Sequence, residues 1–134
     1  VNGLVGRHRD LVAGARVSHL ATVGADGAPH VVPVCHVLDG DRLVFATDRT
    51  TRKVANLLAN PRAAVCSDVY SEDWASGLAQ VIVQGRARVI DEGPEWDRGR
   101  ALLYEKYPQY PVEAPIEAGR SVIVEVVIER VAVA

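Results

Sequence analysis

Apolar positions recur along this chain with two periods, and the shorter one dominates. Arg16–Val23, Arg42–Thr47, Arg62–Tyr70, Leu78–Asp91 and Ser121–Val133 each read as a valine-rich strand bounded by turn residues. His30–Leu38 reads as a further strand, apolar at nearly every position, which predicts burial on both faces or at an interface. Gly24-Ala25-Asp26-Gly27 and Asp39-Gly40 are hairpin turns that join the first three strands into a meander. Gly85, inside the fifth strand, marks a bulge or a close approach.

The longer period predicts peripheral helices. Residues 4–15 set Leu4, Val5, His8, Leu11, Val12 and Ala15 on one face, weakened by glycines. A short helix follows Thr50 or Thr51, either of which can cap it, and stops at Asn60-Pro61. Val54, Leu57 and Leu58 form its packing stripe. Pro94 opens a third helix at its first position, running to about Tyr107 with Trp96 and Leu103 on one face. Pro108, Pro111 and Pro115 predict an extended loop after it. Six antiparallel strands with peripheral helices give an all-β dominated domain spanning 1–134, a small closed or nearly closed barrel.

Composition narrows the function. The formal net charge of −2 provides no overall attraction to nucleic acid, so any basic role must be local. Cys35 and Cys66 lack metal-type spacing and read as reduced thiols of a cytoplasmic protein, with no metal site expected. No apolar run approaches the roughly 20 residues of a membrane span. Arg7, His8, Arg9 and Asp10 interrupt any signal-peptide pattern, although the chain opens on Val1 and leaves its natural start undetermined.

One local feature stands out. Arg49, Arg52 and Lys53 crowd the first turn of the second helix, where free N–H groups and the helix dipole already favour anions. Each such cation costs about 0.3–1 kcal/mol without compensation, and Asp48 offsets one charge at most. A bound phosphate would turn the arrangement favourable, because donors, hydroxyls and cations would converge on it. A solvated basic turn beside Asp48 is the alternative.

Several runs occur in an ordered, nearly ungapped series: LATV at Leu20–Val23, DGAPHVVPV at Asp26–Val34, DGDRLVFAT at Asp39–Thr47 and RKVANLLANPR at Arg52–Arg62. Together they cover about a third of the chain and resemble the opening half of the pyridoxamine 5′-phosphate oxidase-like split β-barrel proteins, which bind FMN or the deazaflavin F420. DVYSEDW and YEKYPQY, further on, resemble an actinobacterial-type branch associated with F420. The resemblance implies a homodimer with the cofactor in a groove between two barrels. It implies that Thr47, Arg49, Thr51, Arg52 and Lys53 hold the cofactor phosphate, that Pro33, Val34 and His36 lie along the ring system, and that Trp74 and Gln80 reach in from the partner. The chain is much shorter than true pyridoxamine 5′-phosphate oxidases and lacks their C-terminal substrate-phosphate motif. Vitamin B6 phosphate is therefore not the expected substrate.

The expected activity is hydride transfer between F420 and a small planar acceptor, with chemistry supplied by the cofactor. This agrees with the lack of any nucleophile–base pair or paired carboxylates in the sequence. His36 and Tyr70 are candidate proton donors. On a continuous second strand, His30 and His36 would lie roughly 20 Å apart on one face, too far to share a metal ion, with Cys35 on the other face. Arg86 and Arg88 read as a solvent face or dimer rim, or as contacts for the acidic F420 tail. The alternatives are an FMN-dependent flavin reductase or oxidase, a non-catalytic cofactor carrier or sensor, and a haem-binding relative using His36 as axial ligand in an open cleft.

Overall fold

In the computed structural model, which describes residues 3–133, seven strands form one antiparallel sheet. Val1, Asn2 and Ala134, the ends of the expected domain, lie outside the described residues. The elements are α1 (Gly6–Gly14), β1 (Ser18–Val23), β2 (Pro29–Val34), β3 (Val37–Asp39), β4 (Arg42–Asp48), α2 (Arg52–Ala59), β5 (Arg62–Val69), β6 (Ala79–Ile90), α3 (Pro94–Lys106), α4 (Tyr110–Glu113) and β7 (Ser121–Val133). Strand order is β2-β1-β5-β6-β7-β4-β3. The two edge strands, β2 and β3, are separated in the chain by only Cys35 and His36. The end of β2 and the start of β3 must therefore lie close together, and the sheet curls into a barrel.

That junction corrects the expected second strand. The apolar run from His30 to Leu38 is two strands, because Val34 pairs with Ser18 of β1 whereas Val37 pairs with Val44 of β4. The chain passes from one sheet edge to the other at Cys35-His36, and within β2 Pro29, Val31 and Pro33 are exposed, so the expected burial on both faces does not hold within one chain. His30 and His36 consequently share no strand. The expected extended loop after Tyr107 also contains a helical turn, α4, with Pro111 near its start, where a missing N–H costs nothing.

The barrel interior holds Leu20, Phe45, Val65, Val81, Val83, Val124, Val126 and Ile128. Gly85 permits the register shift where β6 crosses β7, since a Cβ there would lie 1.8 Å from the Val127 carbonyl oxygen. A second core lies outside the barrel. There α3 sets Trp96, Leu103 and Tyr107 against Val44, Ile90 and Ile123, and Trp96 Nε1 donates to the Ser121 carbonyl at 3.1 Å. Helix α2 buries Val54 and Leu57 as expected, but Leu58 is 71% exposed. Asn56 takes the inner position instead and donates to Thr22 Oγ1 at 3.0 Å, tying α2 to β1.

Candidate functional site at the split of the barrel

Strand β3 covers β4 only as far as Val44. From Phe45 to Asp48, β4 pairs with β7 alone, and this open edge is where the barrel splits. Two clefts flank α4 beside it. One, of about 480 Å³, is lined by Ala46, Thr47, Asp48, Tyr110 and Arg120. The other, of about 350 Å³, is lined by Arg16, Val17, Cys35, Tyr107 and Tyr110.

The open edge leads directly into the basic turn. Neither threonine caps α2 as expected. Thr50 Oγ1 and Thr50 N instead donate to Asp48 Oδ1 at 2.6 and 2.9 Å. Thr51 Oγ1 donates to the Asp48 carbonyl at 3.0 Å and lies 3.3 Å from Thr47 Oγ1. The helix thus starts with no side-chain cap and no acid in its first turn. Two hydroxyls, Thr47 and Thr51, sit side by side at that end.

The cations divide into two groups. Arg49 is engaged: Nη2 donates to Asp91 at 2.8 Å, Nη1 to the Gly119 carbonyl at 3.2 Å, and its backbone N to the Arg120 carbonyl at 3.0 Å. Arg120 in turn donates through Nε to Asp48 Oδ2 at 3.2 Å. The bonds from Thr50, with Arg120, hold the Asp48 carboxyl down at about 2. Arg52 and Lys53 have no acidic partner among the described residues, and burial pushes the Lys53 ammonium below its usual range. A half-buried ammonium without an anion, beside uncapped helix N–H groups, suits a phosphate ester.

Among the expected site residues, the structure brings together Thr47, Thr51, Arg52 and Lys53, with Arg49 held to one side. Pro33 is exposed on the outer face of β2, whereas Val34 is buried against the barrel core. His36 is fully buried. Its Nε2 lies 2.8 Å from Ser18 Oγ, which lies 2.6 Å from Ser67 Oγ. The Tyr107 hydroxyl accepts from His36 N at 3.1 Å and donates to the Arg16 carbonyl at 2.8 Å, while Lys106 Nζ donates to the carbonyls of Ala15 and His36. Burial, and then the Lys106 charge, push His36 down to about 4, so it stands neutral. An imidazole enclosed in this way has no open cleft from which to ligate haem.

Tyr70, Trp74 and Gln80 are exposed at the opposite end of β6. Gln80 and Ile90 are ten residues apart on that strand, roughly 33 Å at about 3.3 Å per residue. Ile90 pairs with Ile123, and the adjacent Val122 pairs with Thr47. One chain therefore does not bring Trp74 or Gln80 to the basic turn. Arg88 is not held open for an acidic tail, since it bonds Glu95 at 2.8 and 3.1 Å and Glu125 at 3.2 Å. Arg86 lies 3.8 Å from Glu129. Among the described residues, no three His, Cys, Asp or Glu side chains cluster as metal ligands, and no helix is long and apolar enough to cross a membrane.

The sequence reading missed the Asp48–Arg120 clasp and the Lys106–Tyr107 staple over His36. Their partners are 70 or more residues apart, so no local spacing announces them.

The family model described as pyridoxamine 5′-phosphate oxidase matches residues 4–133. A pyridoxine/pyridoxamine 5′-phosphate oxidase of Cupriavidus metallidurans is 36% identical over 74 residues, 54% of this chain and 32% of that protein. The chain thus spans about a third of the length of that curated relative. Among solved structures, a haem-binding protein from Mycobacterium smegmatis superposes with a TM-score of 0.81 at 24% identity, covering 94% of this chain and 51% of that one, a likeness of fold. An F420 reductase superposes with a TM-score of 0.73 at 25% identity, covering 92% of this chain and 94% of that one.

Proposed function

The chain belongs to the pyridoxamine 5′-phosphate oxidase family, and from that premise we propose that it is an F420-dependent oxidoreductase acting on a small planar acceptor. The observation that carries this reading is the uncapped N-terminus of α2 with Arg52 and Lys53 unpaired beside Thr47 and Thr51. The likeness to an F420 reductase over nearly the full length of both chains supports the choice of deazaflavin. When bound, F420 supplies hydride transfer; the protein orients it and excludes water.

In this reading Lys53 and Arg52 neutralise the phosphate, while the Thr47 hydroxyl and the first-turn N–H groups of α2 donate to it, and Thr51, its hydroxyl proton on the Asp48 carbonyl, braces the turn. Pro33 and Val34 belong to the strand along which the ring system lies. In the same reading His36, being buried, shapes the Cys35-His36 crossover and is not the proton donor. Trp74 and Gln80 contribute from the second subunit of a homodimer, because about 30 Å separates them from the basic turn of their own chain. The outer faces of β1 and β2 are suited to such pairing: Ala21, Val23, Pro29, Val31 and Pro33 form an uncharged surface there, with Val31 63% exposed. The free thiols Cys35 and Cys66 fit a reducing, cytoplasmic setting.

FMN is the second reading, favoured by the ion pairing of Arg86 and Arg88, which leaves them less able to greet an acidic tail. Equilibrium titration with F420 and FMN side by side, followed by fluorescence, tests both. Tighter binding of F420 with hydride transfer to an acceptor panel is the expected result. Preference for FMN would move the protein to a flavin reductase or oxidase, tight binding without turnover would make it a carrier, and binding of neither would end the proposal.

A further inference from the structure

A carboxylate sits beside the cationic turn, where simple electrostatics says it should weaken the binding of a phosphate. The geometry around Asp48 argues the opposite. Its Oδ1 accepts both the backbone N and the hydroxyl of Thr50, and Oδ2 accepts from Arg120. Its carbonyl accepts Thr51 N at 3.2 Å and Thr51 Oγ1 at 3.0 Å. Thr51 is the residue from which α2 starts, its carbonyl accepting Ala55 N at 3.2 Å. Asp48 therefore ties two of the three residues between β4 and α2, Thr50 through its carboxylate and Thr51 through its carbonyl, and its carboxylate also anchors the turn to Arg120. Arg49 adds a second tie to the same neighbouring loop through the Gly119 and Arg120 carbonyls.

We infer that Asp48 is a positioning residue of the cofactor-phosphate site: its carboxylate tightens binding by holding the 48–51 turn, and this outweighs its own repulsion of the anion. The inference rests on the proposed phosphate reading of the basic turn. Arg49 belongs with it, as a cation spent on the loop rather than on the ligand. The pull from Asp48 on Arg120 also keeps that guanidinium at the wall of the larger cleft.

The two effects of Asp48 differ in sign, which makes the test sharp. Were Asp48 only a nearby charge, Asp48→Ala would bind F420 and FMN several-fold more tightly, and Asp48→Asn equally so. As a positioning residue, Asp48→Ala binds roughly tenfold more weakly, and Asp48→Asn, which keeps an oxygen for Thr50, recovers most of the loss. The dependence of affinity on salt stays that of the wild type in Asp48→Ala, because the cations touching the phosphate are unchanged. Thr50→Ala leaves the charge untouched and is expected to weaken binding a few-fold. It decides the matter should Asp48→Ala fail to fold, with unchanged affinity overturning the inference. Affinity in Asp48→Ala equal to or above wild type would overturn it directly. Retained affinity in Arg52→Ala/Lys53→Ala would instead overturn the phosphate reading itself, whatever Asp48 does.

Discussion

At the start of α3, Glu95 and Asp97 occupy the first turn and Lys106 the last, as the helix dipole favours. Glu95 bonds Arg88, and with Glu125 it forms a network that also draws in Arg42. At the start of α2 the pattern is inverted: Arg52 and Lys53 come first, no acid accompanies them, and neither threonine caps the helix. Both helices pack on the same barrel, and both N-termini are rich in charge. In α3 the charges are answered within the chain and serve stability. In α2 Arg52 and Lys53 have no acidic partner among the described residues, which fits the phosphate site proposed for them. The difference marks out which charged helix end is a candidate site.

Exchanging function for stability at α2 gives the largest expected effect. In Arg52→Ala/Lys53→Ala, cofactor affinity should fall by about a hundredfold or more, from the loss of charge-assisted bonds to phosphate. The same variant without cofactor should unfold no more easily than wild type, and more stably by up to about 1 kcal/mol, because two ill-placed cations are gone. Isothermal titration and denaturant unfolding measure the two halves. A parallel fall in both would erase the contrast with α3.

The polar cluster at His36 is a third case, enclosed and only partly satisfied, since its Nδ1 has no partner. The folded chain holds His36 at about 4, below the ordinary 6.5, chiefly by burial. Below pH 6.5 the unfolded chain takes up a proton that the native chain refuses. The contribution is therefore complete above pH 6.5 and is lost as pH falls through 4, about 3 kcal/mol in all. Urea unfolding at pH 7, 5.5 and 4.5 should show this limb, and His36→Gln should flatten it.

On the α3 side, Glu125→Ala should cost about 1–3 kcal/mol of stability, a modest figure because Arg42 and Arg88 can rehydrate. Thermal unfolding should register it, with F420 affinity unchanged. The smallest effect is expected for Arg49→Ala. Although Arg49 stands in the basic turn, it is answered by Asp91 and Gly119, so affinity should drop by less than about tenfold, and less than in Lys53→Ala. Direct titration of the two variants ranks them.

Much of this contrast was legible in the residues themselves. The valine-rich runs, the bulge at Gly85, Pro94 at the start of α3 and the end of α2 before Asn60-Pro61 all follow local rules that the structure obeys, and the cations that open α2 stand out because they break one. What was not legible depends on contacts between distant parts of the chain. A continuous apolar run cannot reveal that Val34 and Val37 join different neighbours, so β2 and β3 read as one strand. Leu58 matched the helical stripe, yet Asn56 took the inner place because Thr22 answered its amide. Asp48 looked like a single compensating charge, and only the fold sets Arg120 against it.

The most direct test of the central claim is a structure of the protein with bound F420 or FMN. The phosphate is expected within hydrogen-bond distance of Lys53 Nζ and of the Thr47 or Thr51 hydroxyl at the start of α2, with Arg49 still on Asp91. A phosphate lodged elsewhere, with Arg52 and Lys53 left facing solvent, would contradict that claim.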